Sequence, residues 1–275
     1  MPEGDTLFQL AARLTKLLQG STVRHFDAQD VSLLETDLVG QVLDSVQSRG
    51  KHLLMGFSSG VTLHSHLRMD GRWVFRGNAI APAIHGALRV ILGFDSGVLL
   101  GYELATARII HLQTLPAQDV LRTLGPDLLA RDFDASQAVA RLAALGATPI
   151  GVAIMQQTAL AGVGNVFKSE ALFLAGIHPM TPVNALRQDE LEALVQLLVP
   201  LLRRNAIGPK YGQYRRQTRT SSASGPLQWV YRRAGERCMR CDGIIELIYQ
   251  GMPARSSYYC PVCQPTACCV GLQRD

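Results

Sequence analysis

Apolar residues at Leu7, Leu10, Ala11, Leu14, Leu17 and Leu18 fall at helical spacing. They predict an amphipathic helix over 6–19, with Asp5 able to cap its start and Gly20 to end it. From about 22 to 113 the pattern changes to short apolar runs broken by turn residues. HLLMGF and VTLHSHL flank Ser58-Ser59-Gly60, LRVILGF and VLLGYEL flank Asp95-Ser96-Gly97, and Met69-Asp70-Gly71 marks another turn. Such a series predicts an antiparallel sandwich or barrel. The stretch 123–134 reads as a connector. Helical periodicity returns over roughly 135–145, 149–160, 165–175 and 187–204. Residues 205–227 are rich in Gly, Ser, Thr and Arg with little periodicity, which predicts a long loop. Near the C-terminus, GIIELIYQG and SSYYC read as two strands joined by Gly251-Met252-Pro253-Ala254.

Composition narrows the class. A chain of 275 residues, 47% hydrophobic and 18% charged, suits one large packed domain or two ordinary ones, not a disordered chain. No apolar run reaches the roughly 18 residues of a membrane span. No charged segment leads into an apolar one as in a secretory signal, so a cytoplasmic protein, with no membrane partner, is expected. Net charge is +5, but residues 203–240 carry +9 and leave −4 for the remainder. Tyr211, Tyr214, Trp229 and Tyr231 are interleaved with those charges. A basic stripe with aromatics suits a polyanion, most simply nucleic acid, although a solvated face has the same composition.

All six cysteines follow residue 237, and without a secretory context metal binding is favoured over disulfides. Cys238-x-x-Cys241 and Cys260-x-x-Cys263, 18 residues apart, have the spacing of a four-cysteine zinc site on a hairpin. Four thiolates leave no open position, so one structural zinc is expected; Cys268 and Cys269 have no assigned role. In AGVGNVFKSEALF (161–173) a Gly-x-Gly turn precedes Asn165, a favoured helix cap, and a helix N-terminus there can meet an anion. In SRGKHLL (48–54) Lys51 stands between Gly50 and a strand, where a lysine is either solubilising or a phosphate ligand or proton donor. The chain opens Met1-Pro2-Glu3-Gly4. N-termini are ordinarily idle; yet removal of Met1 would leave Pro2 a free secondary amine, able to attack an aldehyde or acetal carbon and form an iminium.

Taken together, Pro2-Glu3-Gly4, the lysine of RGKHLL, HLRMDG, GVGNVFKSE and the terminal hairpin with Arg255 occur in one order, and the chain resembles the bacterial formamidopyrimidine-DNA glycosylase and endonuclease VIII family along essentially its whole length. The resemblance implies that Pro2 is the nucleophile, Glu3 the acid/base, and Lys51 a phosphate contact that assists protonation. It places Asn165 and Arg255 on the phosphates flanking a lesion. Met69 becomes a residue inserted where a nucleotide has flipped out, and His66 and Tyr231 further phosphate contacts. Pro-Glu-Gly is nearer the endonuclease VIII branch. Asp5 and Thr6 stand where the family usually carries a further Glu, and the residues after Arg108 do not clearly supply the wedge of the formamidopyrimidine branch.

The architecture implied is α+β: an N-terminal antiparallel β-sandwich with flanking helices, and a C-terminal helix-two-turn-helix domain with a β-hairpin zinc finger. The expected boundaries are 1–122 for the catalytic domain, 123–134 for the connector, 135–227 for the helical domain and 228–275 for the zinc module. DNA is expected in the cleft between the domains. The expected activity is a bifunctional DNA glycosylase and abasic-site lyase of the bacterial cytosol, favouring oxidised pyrimidines in damaged DNA and cutting by β,δ-elimination. A monomer is the simplest assembly, with protein partners left open. The alternatives are an 8-oxoguanine and formamidopyrimidine specialist and a non-catalytic binder of damaged DNA.

Overall fold

A computed structural model describes residues 2–207, 216–219 and 226–266. The chain divides into two compact units, Met1–Thr123 and Leu124–Asp275.

The first unit begins with α1 (Gly4–Leu18), which starts two residues before the predicted helix. Glu3, not Asp5, is its N-cap: a capping box links Glu3 with Thr6, and the Glu3 N–H donates to Thr6 Oγ1 at 3.4 Å. Leu7, Leu10, Leu14 and Leu18 are buried as the periodicity requires, whereas Leu17 is exposed. Eight strands follow: β1 (Val23–Ala28), β2 (Leu43–Arg49), β3 (His52–Phe57), β4 (Thr62–His66), β5 (Arg72–Gly77), β6 (Leu88–Phe94), β7 (Gly97–Tyr102) and β8 (Thr106–Ile110). They form two antiparallel four-stranded sheets, ordered β2-β3-β4-β8 and β1-β6-β7-β5. The indole N–H of Trp73 on β5 donates to Ser65 Oγ on β4 at 3.0 Å, tying one sheet to the other. β6 and β7 are buried on both faces, because Ala79, Ala81 and Ile84 cover Leu88, Ile91, Val98 and Leu100. That is why their sequences run apolar without alternation. The short α2 (Val120–Thr123) ends the unit.

The second unit holds α3 (Ala135–Ala143), α4 (Ile150–Ala153), α5 (Asn165–Ala175) and α6 (Gln188–Ile207), then the hairpin of β9 (Glu246–Gln250) and β10 (Arg255–Tyr259). Leu142, Ile150, Leu160, Phe167, Leu194 and Leu198 belong to one buried cluster. The helix expected over 149–160 shrinks to four residues. Backbone groups beyond it pair elsewhere: Gln157 O accepts from the Gly125 N–H, and the Ala161 N–H donates to Pro126 O. Phe173, Val230, Cys238, Ile245 and Cys260 form a smaller cluster at the base of the hairpin. Among the described residues no helix is long and apolar enough to cross a membrane.

Candidate functional site

The sequence-predicted residues fall into one set per unit. In the first unit, Pro2 is half-buried and Glu3 fully buried, directly ahead of α1. The Glu3 carbonyl accepts from the N–H groups of Thr6 and Leu7, at 3.0 and 3.3 Å. The N-terminus is therefore held against the fold by the helix it starts.

Lys51 occupies the turn between β2 and β3, after Gly50 at φ +57°. His66 ends β4 directly opposite His52, and the Lys51 charge bears on it: burial first, then Lys51 and Arg68, holds the His66 imidazole below its ordinary pKa. Met69 sits at 53% exposure in the turn after β4. The turn is tight enough to require Gly71, where a Cβ would lie 2.5 Å from Leu67 O and 2.9 Å from Glu103 O.

In the second unit, Gly162 at φ +102° and Gly164 lead into α5. Gly164, not Asn165, is the N-cap; Asn165 is the first helical residue. Its side chain instead reaches the hairpin, Nδ2 donating to Ser256 Oγ at 2.8 Å, and its buried Oδ1 has no hydrogen-bond partner among the described residues. Arg255 is exposed at the start of β10, one residue before Ser256. Lys168 is fully buried and donates from Nζ to Ser256 O at 2.9 Å, and Ser169 Oγ accepts from the Tyr258 N–H at 3.3 Å. One face of α5 thus fixes the strand that carries Arg255.

Glu170 does the same for Tyr231. It is fully buried, and its carboxylate accepts from the N–H groups of Trp229 (2.8 Å), Val230 (2.9 Å) and Tyr231 (2.8 Å), and from the Thr218 hydroxyl. The Tyr231 ring packs edge-on to Tyr258 with centroids 5.2 Å apart. Thr218 and Arg219 donate their N–H groups to Leu227 O at 3.0 and 3.2 Å, so the chain on either side of 220–225 is pinched together.

Not all of the basic stripe is solvated. Arg233 is buried, bonded to Glu236 and to the carbonyls of Trp229 and Arg237. The Arg219 and Arg240 guanidiniums lie over the Trp229 ring, at 5.3 and 5.8 Å.

The four cysteines meet as the spacing predicts. Their sulfurs all lie within 4.8 Å of one another, with Cys238–Cys263 at 3.8 Å and Cys241 at 3.4 Å from both Cys260 and Cys263. Thiolates about 2.3 Å from a tetrahedral zinc stand about 3.8 Å apart, so the donor set fits such an ion. Burial pushes the Cys260 and Cys263 thiols up, and a bound dication reverses that preference. Cys268, Cys269 and most of the basic segment 205–227 lie outside the described residues.

Sequence reasoning missed Lys168, Glu170 and Ser256, and in the first unit His52, His64 and Asp119. Charged residues on a helix ordinarily read as solvated. Only the Ala and Leu residues that follow, and the Val-Phe that precedes, hinted that α5 is buried all round.

Residues 1–105 match the formamidopyrimidine-DNA glycosylase N-terminal domain, and 124–215 the formamidopyrimidine-DNA glycosylase H2TH domain. Over 268 residues the chain is 39% identical to the probable endonuclease 8 2 of Streptomyces coelicolor, spanning 96% of this chain and 94% of that protein. It is 36% identical to the DNA-(apurinic or apyrimidinic site) lyase Nei2 of Mycolicibacterium smegmatis, spanning 96% and 99%. Among solved structures, Lactococcus lactis formamidopyrimidine-DNA glycosylase non-covalently bound to DNA with an abasic site shares the fold. Its TM-score is 0.79 at 24% identity, over 96% of this chain and all of that one.

Proposed function

We propose a catalytic course that starts from an established premise: the chain belongs to the formamidopyrimidine-DNA glycosylase and endonuclease VIII family, and it is a DNA glycosylase and abasic-site lyase of base-excision repair. The finer assignments that follow are our reading.

Pro2, freed by removal of Met1, attacks C1′ of the damaged nucleoside. The C1′–N bond breaks, the base leaves with its electron pair, and an iminium links Pro2 to the opened sugar. The cationic nitrogen acidifies the C2′ proton; its loss expels the 3′ phosphate, and a second elimination expels the 5′ phosphate. A covalent amine thereby divides one hard cleavage into easier steps. Glu3 moves protons to the ring oxygen and from the sugar, as a carboxyl adjacent to the nucleophile can. The observation that carries this reading is the capped N-terminus: Glu3 fully buried and Pro2 half-buried at the head of α1. An idle end has no need of either.

Lys51 and His66 contact phosphate near the reacting sugar, Lys51 also assisting protonation. Asn165, Arg255 and Tyr231 clamp phosphates, Arg255 suiting this because its guanidinium binds two oxygens at once. The Ser256 hydroxyl can equally donate to the Asn165 amide oxygen, an orientation that gives that oxygen a partner. Met69 fills the space of the flipped nucleotide. Zinc, held by Cys238, Cys241, Cys260 and Cys263, supplies folding free energy to the hairpin and no step of the reaction. We place the preference with oxidised pyrimidines, in line with relatives named endonuclease 8.

Borohydride trapping on an oligonucleotide with one abasic site tests this course. The expected result is a reduced adduct mapped by mass spectrometry to Pro2. A correctly processed Pro2→Gly variant that cleaves at the wild-type rate would overturn the proline mechanism. A lesion panel separates the substrate readings: efficient 8-oxoguanine removal opposite cytosine, with none of thymine glycol, would favour the purine specialist.

A further inference from the structure

Behind Lys51 and His66 runs a line of polar side chains, His52, His64, Arg108 and Asp119, that the course above does not use. β3 and β4 pair His52 with His66 and Leu54 with His64. The strand period of two then puts His52, His64 and His66 on one face. The His52 ring lies 4.9 Å from that of His64 and 4.7 Å from that of His66, centroid to centroid.

The hydrogen bonds between them have a direction. Arg108 Nε lies 2.8 Å from His64 Nδ1. A guanidinium only donates, so His64 Nδ1 is bare and the neutral ring carries its hydrogen on Nε2. That nitrogen lies 2.8 Å from His52 Nδ1, which must accept, so His52 also keeps its hydrogen on Nε2. The Arg68 backbone N–H donates to His66 Nδ1 at 3.1 Å and imposes the same tautomer there. At the far end Asp119 takes both Arg108 Nη groups, at 2.6 and 2.9 Å, and its Oδ1 accepts from the Leu121 N–H at 2.9 Å.

We infer that Arg108 is a positioning residue for phosphate binding at Lys51 and His66. Acting through His64 and His52, it fixes the tautomers of those two rings, and the His52 ring packed on His66 holds that ring with Nε2–H presented as a donor. The last link is ring packing, not a third hydrogen bond. The inference rests on the reading of Lys51 and His66 as phosphate contacts.

Electrostatics agree with the geometry. The charged groups bearing on these rings are Lys51 and Arg68 at His66, and Arg108 and Asp119 at His64 and His52. Burial holds His52 down at about 3 and His64 at about 4, with Arg108 adding to both, so neither ring charges near neutral pH. Hydrogen bonds from Arg108 hold the Asp119 carboxyl at about 2, so the guanidinium keeps its counter-charge.

The test pairs spectroscopy with kinetics. Long-range 15N-histidine spectra of the wild-type protein are expected to give His52, His64 and His66 the Nε2–H pattern at neutral pH, unchanged for His52 and His64 between about pH 5.5 and 8. The Arg108→Met/Asp119→Asn pair removes the donor with its counter-charge, while the amide oxygen left on the α2 side still accepts from the Leu121 N–H. In it, His64 should become a tautomer mixture, and His64 and His52, relieved of the Arg108 charge, should titrate closer to neutral pH. KM for abasic DNA should rise about threefold or more with kcat within about twofold, and KM should acquire a pH dependence below 7. A wild-type His64 or His52 protonated on Nδ1 would overturn the inference without any variant. So would unchanged tautomers, KM and pH profile in the pair. Failure of the wild-type protein to form a trapped adduct would sink the enzymatic course instead, and it leaves the spectra to judge the relay separately.

Discussion

Replacing Glu170 by Gln changes one atom in the centre of the second unit. The carboxylate is fully buried and accepts from three backbone N–H groups and the Thr218 hydroxyl. In the amide, Oε1 can keep the Val230 and Tyr231 N–H groups. The new NH2 must face the Trp229 N–H, donor against donor, in a fully buried place. Hydrogen bonds to charged groups contribute about 1.5–3 kcal/mol, and an orphaned buried donor costs about 1–3 kcal/mol. With partial relaxation the expected loss is about 2–3 kcal/mol. For a unit of this size that lowers Tm by roughly 4–12 °C. Glu170→Ala, which orphans all three N–H groups, should lose more. Differential scanning calorimetry on the full chain gives the shift, and trapping on abasic DNA should weaken as Tyr231 moves. If the Gln variant melts within about 1 °C of wild type, these N–H groups find other acceptors and the reasoning fails.

Zinc analysis should find one ion per chain, and Cys241→Ser or chelation should remove it together with DNA binding; full binding by metal-free protein would refute a structural role. The first unit should lose stability in mild acid. Unfolded histidines charge below about 6.5, while His64 and His52 stay neutral to about 4 and 3, so protons favour the unfolded chain from about pH 6.5 downward. Urea midpoints that stay flat from pH 7 to 4 would contradict their burial. Gly71→Ala forces a Cβ against two carbonyl oxygens and should destabilise by about 1–3 kcal/mol, read by thermal melting; a neutral result would mean the turn relaxes freely. Met69→Ala should slow base excision from an intact lesion several-fold while leaving cleavage of a preformed abasic site within about twofold. Equal losses on both substrates would remove Met69 from the flipped-nucleotide space.

Legibility in the sequence followed the range of each interaction. The leucines of α1 other than Leu17, the turn glycines and the paired cysteines declare themselves within a few residues, and the structure places them accordingly. The helix expected over 149–160 failed because apolar spacing does not reveal that Gln157 and Ala161 pair their backbones with 125–126. Asp5 lost the cap to Glu3 because two acids three residues from Thr6 or nearer read alike until the backbone is known. Lys168 and Glu170 could be mistaken for a wet helix face, since their partners lie 88 and 48–61 residues away. Arg108 finds His64 across 44 residues, through β4 pairing with β8. The Pro-Glu start and His66 were visible as chemistry, but only the fold shows what holds them.

The pinch at Thr218, Arg219 and Leu227 has an evolutionary consequence. Both feet of 220–225 are tied to one carbonyl, and Glu170 anchors Thr218 and the residues just past Leu227 to α5. Closing a longer loop between fixed feet adds only about 0.6 kcal/mol per doubling of its length. Descendants of this chain can therefore lengthen, shorten or rewrite that stretch with little strain on Glu170 and the residues it anchors. The length of that stretch and the packing around α5 become separately heritable, and a lineage can vary the one while keeping the other.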